Sequence, residues 1–118
     1  MLISSVAHAK WTKVTEDKNG TTFYVDLERI RKHDGKVYYW YLADLLKPEK
    51  NGTISFRLYT EAECGRFRYR WLSVTFYKDP MASGRINSSR NTPESEWSYP
   101  SPDSMAESTL KAVCNHKP

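Results

Sequence analysis

An α+β domain, built as an antiparallel β-sheet meander with a C-terminal helix packed on one face and one disulfide, is the fold class that three features predict. Thr53 to Cys64 alternates like a half-buried strand, with Ile54, Phe56, Leu58, Ala62 and Cys64 on one side and Ser55, Arg57, Tyr59 and Glu61 on the other. Ala106, Leu110, Val113 and Cys114 recur at the spacing of one helix face, so a tail helix would point its cysteine at the sheet. The stretches between strand-like segments are too short for parallel crossovers, which leaves antiparallel hairpins as the simplest arrangement.

The elements follow in chain order. Lys10 to Thr15 reads as a first strand and Asp17 to Gly20 as its turn. Thr22 to Val25 is a second strand ending at Asp26, after which Leu27, Ile30 and their charged neighbours indicate a short helical turn. His33 is expected in the turn made by Asp34-Gly35, which leads into a long strand from Lys36 to Leu46. Pro48 to Gly52 turns the chain into the alternating strand, and Gly65 ends that strand before another from Arg66 to Lys78. In the latter, Arg66, Arg68 and Arg70 share parity with Leu72, Val74 and Phe76, so a bulge or a change of environment is expected near Trp71.

From Asp79 to Pro102 the prolines, serines and asparagines predict a long irregular segment, with Ile86 and Trp97 marking places where it returns to the sheet. A helix then runs from Pro102 to Asn115. Ser101 before Pro102 is the first choice of cap, and Ser104 with Glu107 forms an alternative capping box.

Two cysteines permit a single intramolecular bridge, Cys64 to Cys114, in an oxidising compartment; two buried free thiols in the cytosol are the alternative. The opening favours the first. Leu2, Ile3 and Val6 followed by Ala7-His8-Ala9 resemble the end of a secretory signal, although the apolar stub is short for a working one. Residues 1–9 therefore read as a residual signal-peptide end or a start added for expression, and residues 10–118 as a single domain.

Composition excludes several classes. With 39% hydrophobic and 14% aromatic residues in 118, the chain is globular rather than disordered, and no apolar run is long enough for a transmembrane segment. The net charge of +4 is modest. No residue set points to a catalytic centre, a metal site or a cofactor: His33 and His116 stand at no ligand spacing with the cysteines, no glycine-rich phosphate loop occurs, and Asp26 and Asp44 at strand ends suit turn caps or arginine partners.

Surface chemistry is more informative. The strand from Lys36 is apolar on both faces, and a single helix covers only one face of a sheet. Tyr38 and Trp40 would then belong to an aromatic patch on the other face, unless the Pro-rich segment folds over it or the sheet curls. Arg66, Arg68 and Arg70, with Arg57 nearby, form a basic ladder; because aromatics of the same strand point the other way, stacking and charge do not coincide, and nucleic acid is not the expected partner.

The order Trp11, Phe23-Tyr24-Val25-Asp26 with Ile30, Val37 to Leu42 with Asp44, Ser55, Glu63-Cys64, Met81 to Gly84, Trp97, Pro100-Ser101 and Val113-Cys114 resembles the bacterial surface-adhesin protein E family over almost all of the chain. Two departures stand out: Glu63 replaces a frequent Asp, and no cysteine follows Ala9 to carry a lipid. The resemblance implies a small non-catalytic domain, periplasmic or secreted and cell-surface associated, that binds a protein partner such as host extracellular matrix or serum proteins. The expected contact residues are Arg57, Arg66, Arg68 and Arg70 for steering and Tyr38 and Trp40 as anchors. The alternative is a periplasmic envelope module with no host ligand, homodimeric through the same aromatic face.

Overall fold

Backbone pairing follows the alternation of the sequence most closely at the centre of the sheet. The computed structural model describes residues 10–117, so the expectation for residues 1–9 lies outside the described part. Seven strands form one antiparallel sheet: β1 (Trp11–Glu16), β2 (Thr22–Asp26), β3 (Arg31–His33), β4 (Lys36–Asp44), β5 (Ser55–Glu63), β6 (Arg68–Asp79) and β7 (Ser83–Arg90). Their order is β1-β2-β4-β5-β6-β7, with β3 paired beside β4. A single helix, α1 (Met105–Asn115), closes the chain.

Parity decides the two faces. Val37, Tyr39, Tyr41 and Ala43 of β4 point with Leu58 and Ala62 of β5, Phe23 and Val25 of β2 and Val74 of β6 into a core that Leu110 and Val113 of α1 complete. Burial of such side chains stabilises by roughly 1.5–3 kcal/mol each. The bridge between Cys64 and Cys114 joins the end of β5 to the last turn of the helix. The helix covers the expected face and lies mainly over β1, β2 and β4, the bridge holding its final turn while Leu110 and Val113 join the core that includes Phe23, Val25, Val37, Leu58 and Ala62.

The bulge near Trp71 is present. Tyr59 pairs with Ser73 and Thr60 with Trp71, so Leu72 is the extra residue and the parity of β6 reverses there. Arg68 and Arg70 consequently share a face with Ser73 and Thr75, while Val74 and Phe76 turn to the helix side.

Several boundaries differ from the sequence reading. Arg66 lies in the turn before β6, where Phe67 adopts a φ of 51°, and so leaves the ladder to Arg68 and Arg70. His33 closes β3 instead of sitting in the Asp34-Gly35 turn. Strand β4 stops at Asp44, two residues short, since Asp44 Oδ1 accepts from Met81 N at 2.7 Å and Ser55 Oγ both donates to Asp79 O (2.6 Å) and accepts from Ala82 N (2.9 Å). These bonds hold a left-handed corner at Met81 and Ala82. Gly84 continues the corner at φ +70°, and a Cβ there would collide with the Asp79 carboxylate.

That corner redirects the chain into β7, in place of the irregular segment expected from Asp79 onward; only the stretch after Arg90 is irregular. Strand β7 buries almost nothing and is held by its ladder with β6 and by Asn87 Nδ2, which donates to Asn51 O and Thr53 Oγ1. The helix starts at Met105 rather than Pro102. Ser104 is the N-cap, its Oγ accepting from Glu107 N at 3.1 Å, so the alternative capping box is the one used.

Candidate protein-binding face

On the face away from α1, strand register sets side chains from β4, β5 and β6 in rows. Tyr38 stands opposite Glu61, Trp40 opposite Tyr59 and Leu42 opposite Arg57, while Arg70 and Arg68 stand opposite Glu61 and Glu63. Cross-strand neighbours at this spacing interact directly. Tyr59 lies between two rings, 6.3 Å from Tyr38 and 4.8 Å from Trp40 between centroids.

The basic residues fall into two groups. Arg57 lays its guanidinium 4.6 Å from the centre of Trp40 and 6.0 Å from that of Tyr77. No ion pair engages it among the described residues, and its buried Nε has no hydrogen-bond partner there. Arg70 and Arg68, by contrast, donate from Nε to Glu61 and Glu63, each at 2.6 Å. Both also lie over Trp97, at 4.4 Å for Arg68 and 4.6 Å for Arg70. Arg66 is exposed, 4.0 Å from Glu63. A cation over an indole face gains roughly 0.5–2 kcal/mol.

Trp97 arrives from the segment after β7, which hydrogen-bonds to the open edge of β6 through Ser98 and Tyr69. The Pro-rich segment therefore does cover part of the second face, over Arg68 and Arg70, and leaves the Tyr38–Tyr59–Trp40–Arg57 row open. Stacking and charge meet on one surface because the rings come from other strands and from this segment, which corrects the expectation drawn from alternation within one strand. Two grooves flank Tyr59: one of about 290 Å³ bounded by Arg31, His33 and Tyr38, the other of about 600 Å³ bounded by Arg31, Ile30 and Trp40.

Glu61 is the electrostatic centre. Burial by itself would raise its pKa, but the Tyr38 hydroxyl, donating to Oε2 at 2.7 Å, and Arg70 outweigh burial and hold the carboxyl below its ordinary value. The same hydrogen bond, aided by burial, raises Tyr38 above the usual phenol range. For a carboxyl lowered on folding, the stabilisation is complete above the unfolded value and is lost as pH falls through the folded one. The melting temperature is therefore expected to drop below about pH 4.5, the ordinary carboxyl value. In Glu61→Gln this acid slope should be shallower, with a cost of about 1–3 kcal/mol at neutral pH from leaving Arg70 unmatched; thermal melts across the pH range check both.

Alternation puts Tyr59 on the same side as Arg57, whereas no local pattern in the sequence marks Arg31, which reaches this face through the pairing of β3 with β4. Asp26 and Asp44 are caps: Asp26 Oδ1 accepts from Glu28 N and its Oδ2 is 3.5 Å from Arg29. Among the described residues no cluster of His, Cys, Asp and Glu could hold a metal, and no helix is long and apolar enough to cross a membrane.

The model of the surface-adhesin protein E family matches residues 11–115. The chain belongs to that family. Solved structures of protein E share the fold. Crystal form II of Haemophilus influenzae protein E superposes with a TM-score of 0.69 at 16% identity, covering 97% of this chain and 94% of that one. Protein E from non-typeable Haemophilus influenzae gives 0.63 at 16% identity, with 97% and 81% covered. No curated protein matches the chain. Of the residues that carry the resemblance, Asp44, Ser55 and the Met81–Gly84 run build the β6–β7 corner, whereas Trp97 seats on the two paired arginines.

Proposed function

We propose that the chain is a non-catalytic adhesive domain, periplasmic or secreted and held at the cell surface, that binds a protein partner such as host extracellular matrix or serum proteins through the helix-free face of its sheet. The observation that carries this reading is Arg57, a cation without an acidic partner among the described residues, stacked on Trp40 at the edge of an open aromatic row. Tyr38, Trp40 and Tyr59 would supply rigid apolar area, and Arg57 would receive a carboxylate of the partner. Arg66 adds long-range attraction. Arg68 and Arg70, already matched by Glu63 and Glu61, contribute less to steering and keep Trp97 in place. Family membership and the disulfide, a bond of oxidising compartments, support the location.

Immobilised matrix and serum proteins test the reading. Binding should weaken with salt and fall at least tenfold, on the order of a hot-spot loss, in Trp40→Ala and in Arg57→Ala. A concentration-dependent dimer with no binding to any such protein would instead favour an envelope module that associates through the same face.

A further inference from the structure

We infer that the end of the domain where the helix finishes docks onto an anionic phospholipid bilayer, with a lipid segment seated in the groove above Leu27 and Ile30. This end gathers the start of β1, β4 and β6, the end of β2 and β5, and the last turn of α1. Its groove, about 530 Å³, has Leu27 and Ile30 as an apolar floor and Lys32, His116 and Lys117 on the rim together with Glu28, which Lys10 pairs at 3.5 Å. Both floor residues are only partly buried and pack against the edge of the core.

The charges around the groove are unbalanced. Three of the four carboxylates at this end have a Lys or Arg neighbour, Asp26 meeting Arg29 at 3.5 Å, Glu28 meeting Lys10 at 3.5 Å and Glu63 meeting Arg68 at 2.6 Å with Arg66 beyond it, and the fourth, Asp34, meets the His33 imidazole at 3.1 Å. Arg31, Lys32 and Lys117 remain without an acidic partner among the described residues, and Lys36 forms no ion pair there, acting at longer range on Glu61, which Arg70 and Tyr38 already hold. Eight Lys and Arg thus stand among four carboxylates, an excess equal to the whole chain's +4. The rest of the molecule is balanced, so its long-range attraction for anions arises here.

An apolar floor inside a cationic rim matches a ligand whose phosphate lies a few bonds from acyl carbon. Nucleic acids and sulfated polysaccharides offer the anion but no apolar segment, and the groove floor would gain nothing from them. Each basic residue near an anionic bilayer strengthens binding roughly fivefold, and burying an apolar side chain adds about tenfold or more.

Co-sedimentation of the full chain with phosphatidylcholine vesicles and with equimolar phosphatidylcholine–phosphatidylglycerol vesicles tests this. Binding should be at least about 25-fold stronger to the second kind, and Lys32→Glu with Lys117→Glu should remove that difference. Ile30→Ser should weaken binding about tenfold or more at an unchanged charge. Lys117→Glu alone, at an exposed chain end, keeps the test valid where the double variant fails to fold, and should cost about fivefold or more. Equal binding to both vesicles, or charge-reversed chain that still binds, overturns the proposal. So does wild-type binding by Ile30→Ser together with displacement by heparin or poly-glutamate, which would assign this end to polyanions.

Discussion

Replacing Cys64 and Cys114 together by alanine is expected to destabilise the domain by about 4 kcal/mol, read from urea unfolding of the oxidised wild type and the double variant. The bridge closes a span of 50 residues, and in the chain-entropy account a loop of that length removes that much freedom from the unfolded chain. That loop contains all of β6, β7 and the irregular stretch, up to the last turn of α1. With native stabilities of roughly 5–15 kcal/mol, the loss would bring a small domain close to its threshold. Amide exchange in α1 should accelerate more than in β4 and β5, because the helix is the element the bond tethers. A change below about 1 kcal/mol would mean that packing alone seats the helix.

Leu110→Ala should cost about 3 kcal/mol, within the 2–5 kcal/mol range of buried leucine truncations. Leu110 is 1% exposed and packs in the cluster that holds Phe23, Val25 and Val113. The cavity would open between helix and sheet, out of reach of solvent. Because Leu110 and Cys114 fix the same helix, their effects should not add: a cycle combining Leu110→Ala with loss of the bridge is expected to show coupling of about 0.5–3 kcal/mol. Strict additivity would indicate that bridge and core hold the helix independently.

Strand β5 and helix α1 were legible because each carries its own period: Leu58 and Ala62 repeat at two, and Leu110 and Val113 fall on one helical stripe. Where local signals competed, the structure chose between them. Ser101-Pro102 and Ser104-x-x-Glu107 both read as helix starts, and the second prevailed because Glu107 N finds Ser104 Oγ and Asp103 N finds Glu107 Oε1. Strand β7 had only the weak signal of Ile86, which does pair with Tyr77 of β6; the rest of Ser83–Arg90 is polar and lacks alternation, and its conformation is imposed by β6 and by the Asp44 and Ser55 bonds to the preceding corner. The bulge at Leu72 was foreshadowed by the parity conflict between Arg70 and Leu72.

The candidate face shows the same division. Tyr38, Trp40 and Arg57 follow from alternation, yet the difference between Arg57 and its neighbours depends on Glu61, Glu63 and Trp97, which reach the arginines across strands and from a distant segment.

By itself the sequence determined the α+β class, the side of each central strand that enters the core, and the cysteine that faces the sheet, because periodicity and residue type are local properties that survive without knowledge of neighbours. Tertiary structure alone decided which arginines are neutralised, where Trp97 rests, and that a polar stretch becomes the edge strand. Those outcomes turn on strand order and on one inserted residue in β6, and the energy of a contact between distant residues exists only once the chain has brought them within a few ångströms.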